Sequence, residues 1–236
     1  MVIMARLLRI APNGIPVHII QRGNNRQVCF VAEEDYIAYV GWLKEYAKKY
    51  GVDIHAWVLM TNHVHLLCTP QRDGALSKMM QALGRRYVRY FNHKYRRTGT
   101  LWEGRYKSCL IEAKEYLFVL YRYIELNPVR AEMVKDPAEY RWSSYQVNGL
   151  GKHSDLCTPH QEFLALDSDP KKRQELYRAM FASHLDGPML AEIRASSNKG
   201  MAVGNDLFKD KIERLTGRRL RLKKRGRPFG WRKPAG

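Results

Sequence analysis

The stretch Trp57-Val58-Leu59-Met60-Thr61-Asn62-His63-Val64-His65-Leu66-Leu67-Cys68 decides how this chain folds. Two runs rich in Val, Ile, Leu and Trp, Asp53 to Met60 and His63 to Cys68, flank the dipeptide Thr61-Asn62, a spacing that suits a tight hairpin or one bent ribbon. Successive side chains of a strand point to opposite faces, so His63 and His65 leave from one face, and Val64, Leu66 and Cys68 from the other. The apolar set can pack on helices. The two imidazoles, about 7 Å apart at Cα by strand rise, can converge on one ion on the open face. The same pattern also describes two half-exposed strand histidines.

Upstream, Ile15 to Gly23 has β-branched content and ends in Gly-Asn-Asn, which reads as a strand closed by a turn. From Glu33 to Tyr50, apolar residues at Tyr36, Val40, Leu43, Tyr46 and Tyr50 follow a 3.6-residue period, and Gly51 supplies the stop. Downstream of the polar turn Gln71 to Gly74, residues Leu76, Met79, Met80, Leu83, Tyr87, Tyr90 and Phe91 keep helical spacing, with Lys78, Arg85, Arg86 and Arg89 on other faces. Leu101 to Ile111 reads as a fourth strand, and Lys114 to Asn127 as a third helix that Pro128 ends. The order β, α, β, β, α, β, α predicts an α+β domain: a small antiparallel sheet with helices packed against one face.

The whole chain of 236 residues is +18 at neutral pH, with 45% apolar and 27% charged residues, so it is globular rather than disordered and its surface attracts polyanions. No apolar run approaches the length of a membrane span, and Met1 to Pro12 lacks the apolar core of an export signal, which predicts a cytoplasmic, nucleoid-associated protein. Cys29, Cys68, Cys109 and Cys157 stand far apart and form no CxxC pair, as expected of reduced thiols. Residues 146–204 read as a helical extension without a chemical signature. After residue 204, twelve Lys and Arg oppose three Asp and Glu, half of the net excess of the chain. Within this basic tail, Lys224-Arg225-Gly226-Arg227-Pro228 resembles an AT-hook core, which would put Arg225 and Arg227 in a narrow minor groove. A solvated tail touching phosphates without preference is the other reading.

On the third helix, Tyr123 and Asn127 are one turn apart and can present a phenol beside an amide oxygen. Tyr121 and Glu125 have the same spacing, and a carboxylate is the harder oxygen ligand, so spacing does not choose between the pairs.

The combination resembles the HUH single-tyrosine transposases, specifically the REP-associated tyrosine transposases, over roughly Met4 to Tyr145. The matching motifs are Gly14-Ile15-Pro16, Gln21-Arg22-Gly23-Asn24, Asn62-His63-Val64-His65, Leu101-Trp102-Glu103-Gly104-Arg105 and Asn127-Pro128-Val129-Arg130. Thr61 stands where family members often carry Pro.

The resemblance implies a ferredoxin-like HUH fold over residues 1–145, with Tyr123 as nucleophile and His63, His65 and Asn127 as ligands of Mg²⁺ or Mn²⁺. It implies cleavage and rejoining of single-stranded DNA beside palindromic hairpins through a 5′-phosphotyrosine link, by a monomer or a homodimer. Candidate contacts to the DNA are Arg22, Asn24 and Arg26, then Arg85, Arg86 and Arg89, then Trp102, Arg105 and Lys107. A non-catalytic hairpin-binding regulator is the alternative; an RNA-binding domain with a structural metal fits less well, because no cysteine joins the two histidines at zinc-like spacing.

Overall fold

A computed structural model describes residues 9–183 and 187–221. Five strands form one sheet: β1 (Val17–Arg22), β2 (Val52–Met60), β3 (His63–Pro70), β4 (Lys107–Ile111) and β5 (Ala202–Val203), in the order β2-β3-β1-β4-β5. The helices are α1 (Glu33–Tyr50), α2 (Ala75–Lys94), α3 (Ala113–Glu125), α4 (Asn127–Arg130), α5 (Tyr145–Asn148), α6 (Gln161–Leu164), α7 (Pro170–Ala179), α8 (Gly187–Lys199) and α9 (Asp206–Thr216). The expected α+β class and the β2–β3 hairpin across Thr61-Asn62 are both present.

Strand alternation sorts the core into two layers. Val17 and Ile19 of β1, Leu59 of β2 and Val64, Leu66 and Cys68 of β3 pack against Tyr39 and Leu43 of α1 and Leu76, Leu83 and Tyr87 of α2. Each fully buried large side chain contributes about 1.5 to 3 kcal/mol of transfer free energy. On the opposite face, Val58, Leu67, Cys109 and Ile111 pack against Leu117, Leu120 and Ile124 of α3 and Ile193 of α8. Helices therefore cover both faces rather than one. Part of that second layer, α8, comes from a segment with no strong apolar period and packs chiefly on β4.

Two element boundaries differ from the sequence expectation. The fourth strand starts at Lys107, not Leu101: Gly104 takes φ +70°, Trp102 turns into the core, and residues 101–106 loop across the end of β1. Asn24 N donates to Leu101 O and Glu103 N to Arg22 O, both at 2.8 Å, which fastens that loop beside the sheet.

Pro128 does not end the helical path. It sits in the first turn of α4, where a missing N–H costs nothing, and the chain runs one more turn to Arg130.

Residues after 145 and after 204 join the same sheet and core. β5 adds to the sheet parallel to β4 through Leu110↔Ala202 and Ile111↔Val203, and Ile212 and Leu220 enter the same core as α1 and α2. Arg225 and Arg227 lie outside the described residues.

Candidate active site

Where β1, β3, β4, α3, α4 and α8 meet, a cleft of about 390 Å³ opens. His63 and His65 enter it from β3, Arg22 from β1, Tyr123 from α3, Asn127 and Arg130 from α4, and Arg194 and Asn198 from α8. Glu103, Arg105 and Lys107 line its rim. Five cationic side chains thus surround one carboxylate, a field suited to a phosphate backbone.

The two tyrosines of α3 go opposite ways. Tyr123 stands edge-on to His65 and to His18, with centroids 5.5 and 5.7 Å away. Tyr121 is fully buried on the other side of the helix, against Phe163 and Tyr177. Glu125 follows Tyr121: its carboxylate accepts from Ser144 Oγ at 2.5 Å, Asn148 Nδ2 at 2.8 Å and Tyr177 Oη at 2.6 Å. Burial lifts its pKa to about 7, and its oxygens are taken up away from the cleft.

Asn127 owes its orientation to Pro128. The proline has no N–H for the Ile124 carbonyl, and Asn127 Nδ2 donates there at 3.2 Å and to Tyr123 O at 2.9 Å. That leaves Oδ1 as its uncommitted acceptor. Arg130 caps the same end, donating to Tyr123 O at 2.8 Å while its guanidinium lies 4.4 Å from the Tyr123 ring centroid.

Both strand histidines are held neutral. Burial is the main cause, and the positive charges of Arg22 and Arg130 add to it; His63 is lowered to about 4 and His65 well below its usual range. His63 Nδ1 meets Asn62 Oδ1 at 2.6 Å, a bond only an N–H can make, so its Nε2 carries the lone pair. Asn62 Nδ2 in turn donates to Arg26 O at 3.2 Å. His65 Nδ1 lies 2.9 Å from Nε2 of His18, so Nε2 is the His65 ring nitrogen left to face the cleft.

Two imidazole Nε2 atoms and one amide oxygen therefore remain as possible ligands around one cleft, a donor set that fits a divalent cation completing its shell with water. Among the described residues no group of three or more His, Cys, Asp or Glu could hold a metal, so such a site depends on Asn127.

The proposed DNA contacts are not all together. Arg22, Arg105 and Lys107 line the cleft, and Lys107 Nζ donates to Asn198 Oδ1 at 3.0 Å. Asn24 and Arg26 sit in a 3₁₀ turn beside it, where Arg26 takes φ +59°. Arg85, Arg86 and Arg89 belong to α2, in the helical layer on the far side of the sheet. There Arg86 stacks 4.7 Å over Trp42 and pairs with Glu45 at 2.7 Å.

Trp102 corrects an expectation. It is no surface platform but a core residue, 5% exposed and stacked on Tyr87 at 5.8 Å. His18, Arg130, Arg194 and Asn198 were not foreseen. Arg130 was within reach, three residues after Asn127 on the same helical face, and His18 shares the parity of Arg22 on β1. Nothing in the sequence joins α8 to the cleft.

Residues 13–127 match the family described as Transposase IS200 like. This segment belongs to that family. The transposase fold is also seen in the structure of a REP-associated tyrosine transposase bound to a REP hairpin, which is 18% identical, with a TM-score of 0.51 over 66% of this chain and 93% of that one. A transposase candidate from Deinococcus radiodurans R1 is 20% identical over 51% of this chain and 92% of that one, with a TM-score of 0.36. No curated protein matches the chain. No described helix is long and apolar enough to cross a membrane.

Proposed function

We propose that this transposase cuts and rejoins single-stranded DNA beside a hairpin, using Tyr123 as nucleophile. The observation that carries the reading is the meeting of Tyr123, His63, His65 and the Asn127 amide in one cation-lined cleft, while Tyr121 and Glu125 face the core. Support for the hairpin comes from the fold relative solved with one.

In this reading His63 Nε2, His65 Nε2 and Asn127 Oδ1 hold Mg²⁺ or Mn²⁺, which supplies charge neutralisation at the scissile phosphate. Arg22, Arg105 and Lys107 bind the strand on either side of that phosphate and keep it in line with the phenol. Tyr123 Oη attacks phosphorus, the DNA 3′-oxygen leaves, and a 5′-phosphotyrosine forms with a free 3′-hydroxyl. Arg130, over the Tyr123 ring, offsets the charge gathering on the phosphoryl oxygens. Reversal by another 3′-hydroxyl joins strands without ATP, because the ester retains the bond energy.

The test is incubation with Mn²⁺ and a labelled single-stranded hairpin. A detergent-stable adduct that Tyr123→Phe abolishes supports the reading. Tight hairpin binding with no adduct from the wild-type chain would instead identify a non-catalytic hairpin-binding protein.

A further inference from the structure

Behind the cleft, a line of buried polar groups runs from β3 through β1 to α8. His65 and His18 are 3% and 0% exposed and stacked, with ring centroids 5.2 Å apart and planes at 8°. His65 Nδ1 and His18 Nε2 are 2.9 Å apart, and His18 Nδ1 lies 3.0 Å from Ser197 Oγ. Ser197 Oγ is 3.1 Å from Cys109 Sγ. We propose that His18 is a positioning residue of the cation site: it holds His65 in the Nδ1–H form, with its lone pair on Nε2 toward the cleft, and Ser197 anchors the relay. This rests on the reading of His63 and His65 as ligands.

Two neutral imidazoles joined by one hydrogen bond share one proton in that bond, so the line has two arrangements. In one, His65 Nδ1–H donates to His18 Nε2, His18 Nδ1–H donates to Ser197 Oγ, and the Ser197 hydroxyl turns to Cys109 Sγ. In the other, every donor is reversed, and His65 presents Nε2–H to the cleft. The field decides between them. Arg22 and Arg130 act on His65 from the cleft side, and with Arg105, Lys107 and Arg194 they make that side positive. A lone pair facing cations is favoured over an N–H facing them. Partners behind metal-bound histidines commonly do this work, fixing tautomer and ring orientation.

Ser197 comes from α8, outside the matched segment 13–127. The relay therefore gives α8 a defined task in the chemistry of a domain it follows in sequence.

Two measurements on the full chain test this. In the metal-free protein, histidine ¹⁵N spectra assigned by His65→Ala should show His65 as the Nδ1–H tautomer; the Nε2–H tautomer overturns the proposal. In calorimetric titration with Mn²⁺ alone, His18→Leu should weaken binding about 10- to 100-fold. His18→Gln, whose amide oxygen can still accept from His65 Nδ1, should restore most of it, and metal-free hairpin affinity should stay unchanged in both. A folded His18→Leu chain that binds Mn²⁺ like wild type overturns the proposal. Should that variant not fold, Ser197→Ala and the spectra carry the test, with a smaller loss of affinity expected. His65→Ala separates the two levels: if it leaves Mn²⁺ binding intact, the ligand reading itself fails; if it abolishes binding while His18→Leu does not, only the relay fails.

Discussion

The ring of Tyr123 meets the imidazole of His65 nearly at a right angle, 84° between planes and 5.5 Å between centroids. Residues from α3 and β3, far apart in sequence, are thereby locked in one orientation before any DNA arrives. Such preorganisation is worth most when an attacking oxygen must lie in line with a leaving group.

Tyr123→Phe should eliminate the covalent DNA adduct and leave folding stability within about 1 kcal/mol of wild type, since one hydroxyl is lost and the ring contacts remain. Tyr121→Phe should leave adduct formation unchanged, because its ring lies in the core and its hydroxyl makes no well-formed hydrogen bond there. Detergent gels with labelled hairpin DNA, alongside urea denaturation, check both. Adduct loss in Tyr121→Phe alone would sink the nucleophile assignment.

Arg130→Ala should slow single-turnover cleavage on the order of 10²- to 10³-fold, the usual scale for removing one donor at a developing charge. It should also cost about 1.5 to 3 kcal/mol of stability, the worth of a hydrogen bond from a charged donor, while Asn127 Nδ2 still donates to the Tyr123 carbonyl. Arg130→Lys should recover little of the rate, since an ammonium cannot both stack on the ring and span to the carbonyl in the same fork geometry.

Gly23→Ala should destabilise the protein by about 1 to 3 kcal/mol. Its φ of −60° is ordinary, so the reason is crowding: an added Cβ collides with the Gln27 carbonyl. Gly23 N also donates to Asn62 O at 2.8 Å, and Asn62 orients His63, so weaker Mn²⁺ binding should accompany the loss of stability. Calorimetry on the one variant reads both effects.

Glu125→Gln should flatten part of the pH dependence of stability. The unfolded carboxyl ionises near the ordinary glutamate value of 4.5, whereas burial raises the native one to about 7. Between those values the native state holds a proton that the unfolded chain has released, so this group's contribution falls as pH rises from 4.5 and the full penalty is reached above 7, on the order of 3 kcal/mol. The neighbours suit an amide, with Ser144 and Asn148 donating to one oxygen and the Tyr177 hydroxyl free to accept from the new NH₂. Melting temperatures should rise relative to wild type at pH 8 and not at pH 4.5. Buried histidines such as His18, lowered to about 3, act in the opposite sense and are common to both proteins, so the difference isolates Glu125.

Arg22→Ala and Arg105→Ala should each reduce the slope of log affinity against log salt by about 0.7 on single-stranded DNA, and should slow cleavage of bound strand. Arg85→Ala and Arg89→Ala, on the layer behind the sheet, should leave that cleavage rate unchanged. Equal loss of cleavage in both pairs would show the strand wrapping the sheet rather than crossing one cleft.

The hairpin carrying His63 and His65 was legible because local rules govern it: alternation sets the faces and a two-residue turn sets the register. Helix α1 was legible from its period and Gly51, which takes φ +70° at the helix end. The choice between Tyr123 and Tyr121 was not, because both lie on a helix apolar on several sides and only packing on the sheet shows which side meets the cleft. Trp102 misled for a related reason: basic neighbours suggest a surface strand, yet the loop around Gly104 turns the indole inward. The contributions of α8 and β5 depend on pairing between segments nearly a hundred residues apart, for which neither period nor composition carries a signal.

The late arrival of β5 and α8 has a consequence for biosynthesis. Ribosomes deliver the chain from its N-terminus, and domains begin folding as they emerge. Tyr123 and both strand histidines appear well before Arg194, Ser197 and Asn198, so a nascent polypeptide holds an unfinished cleft until α8 has emerged. Translation itself thus postpones assembly of the site until α8 has followed Tyr123 out of the ribosome.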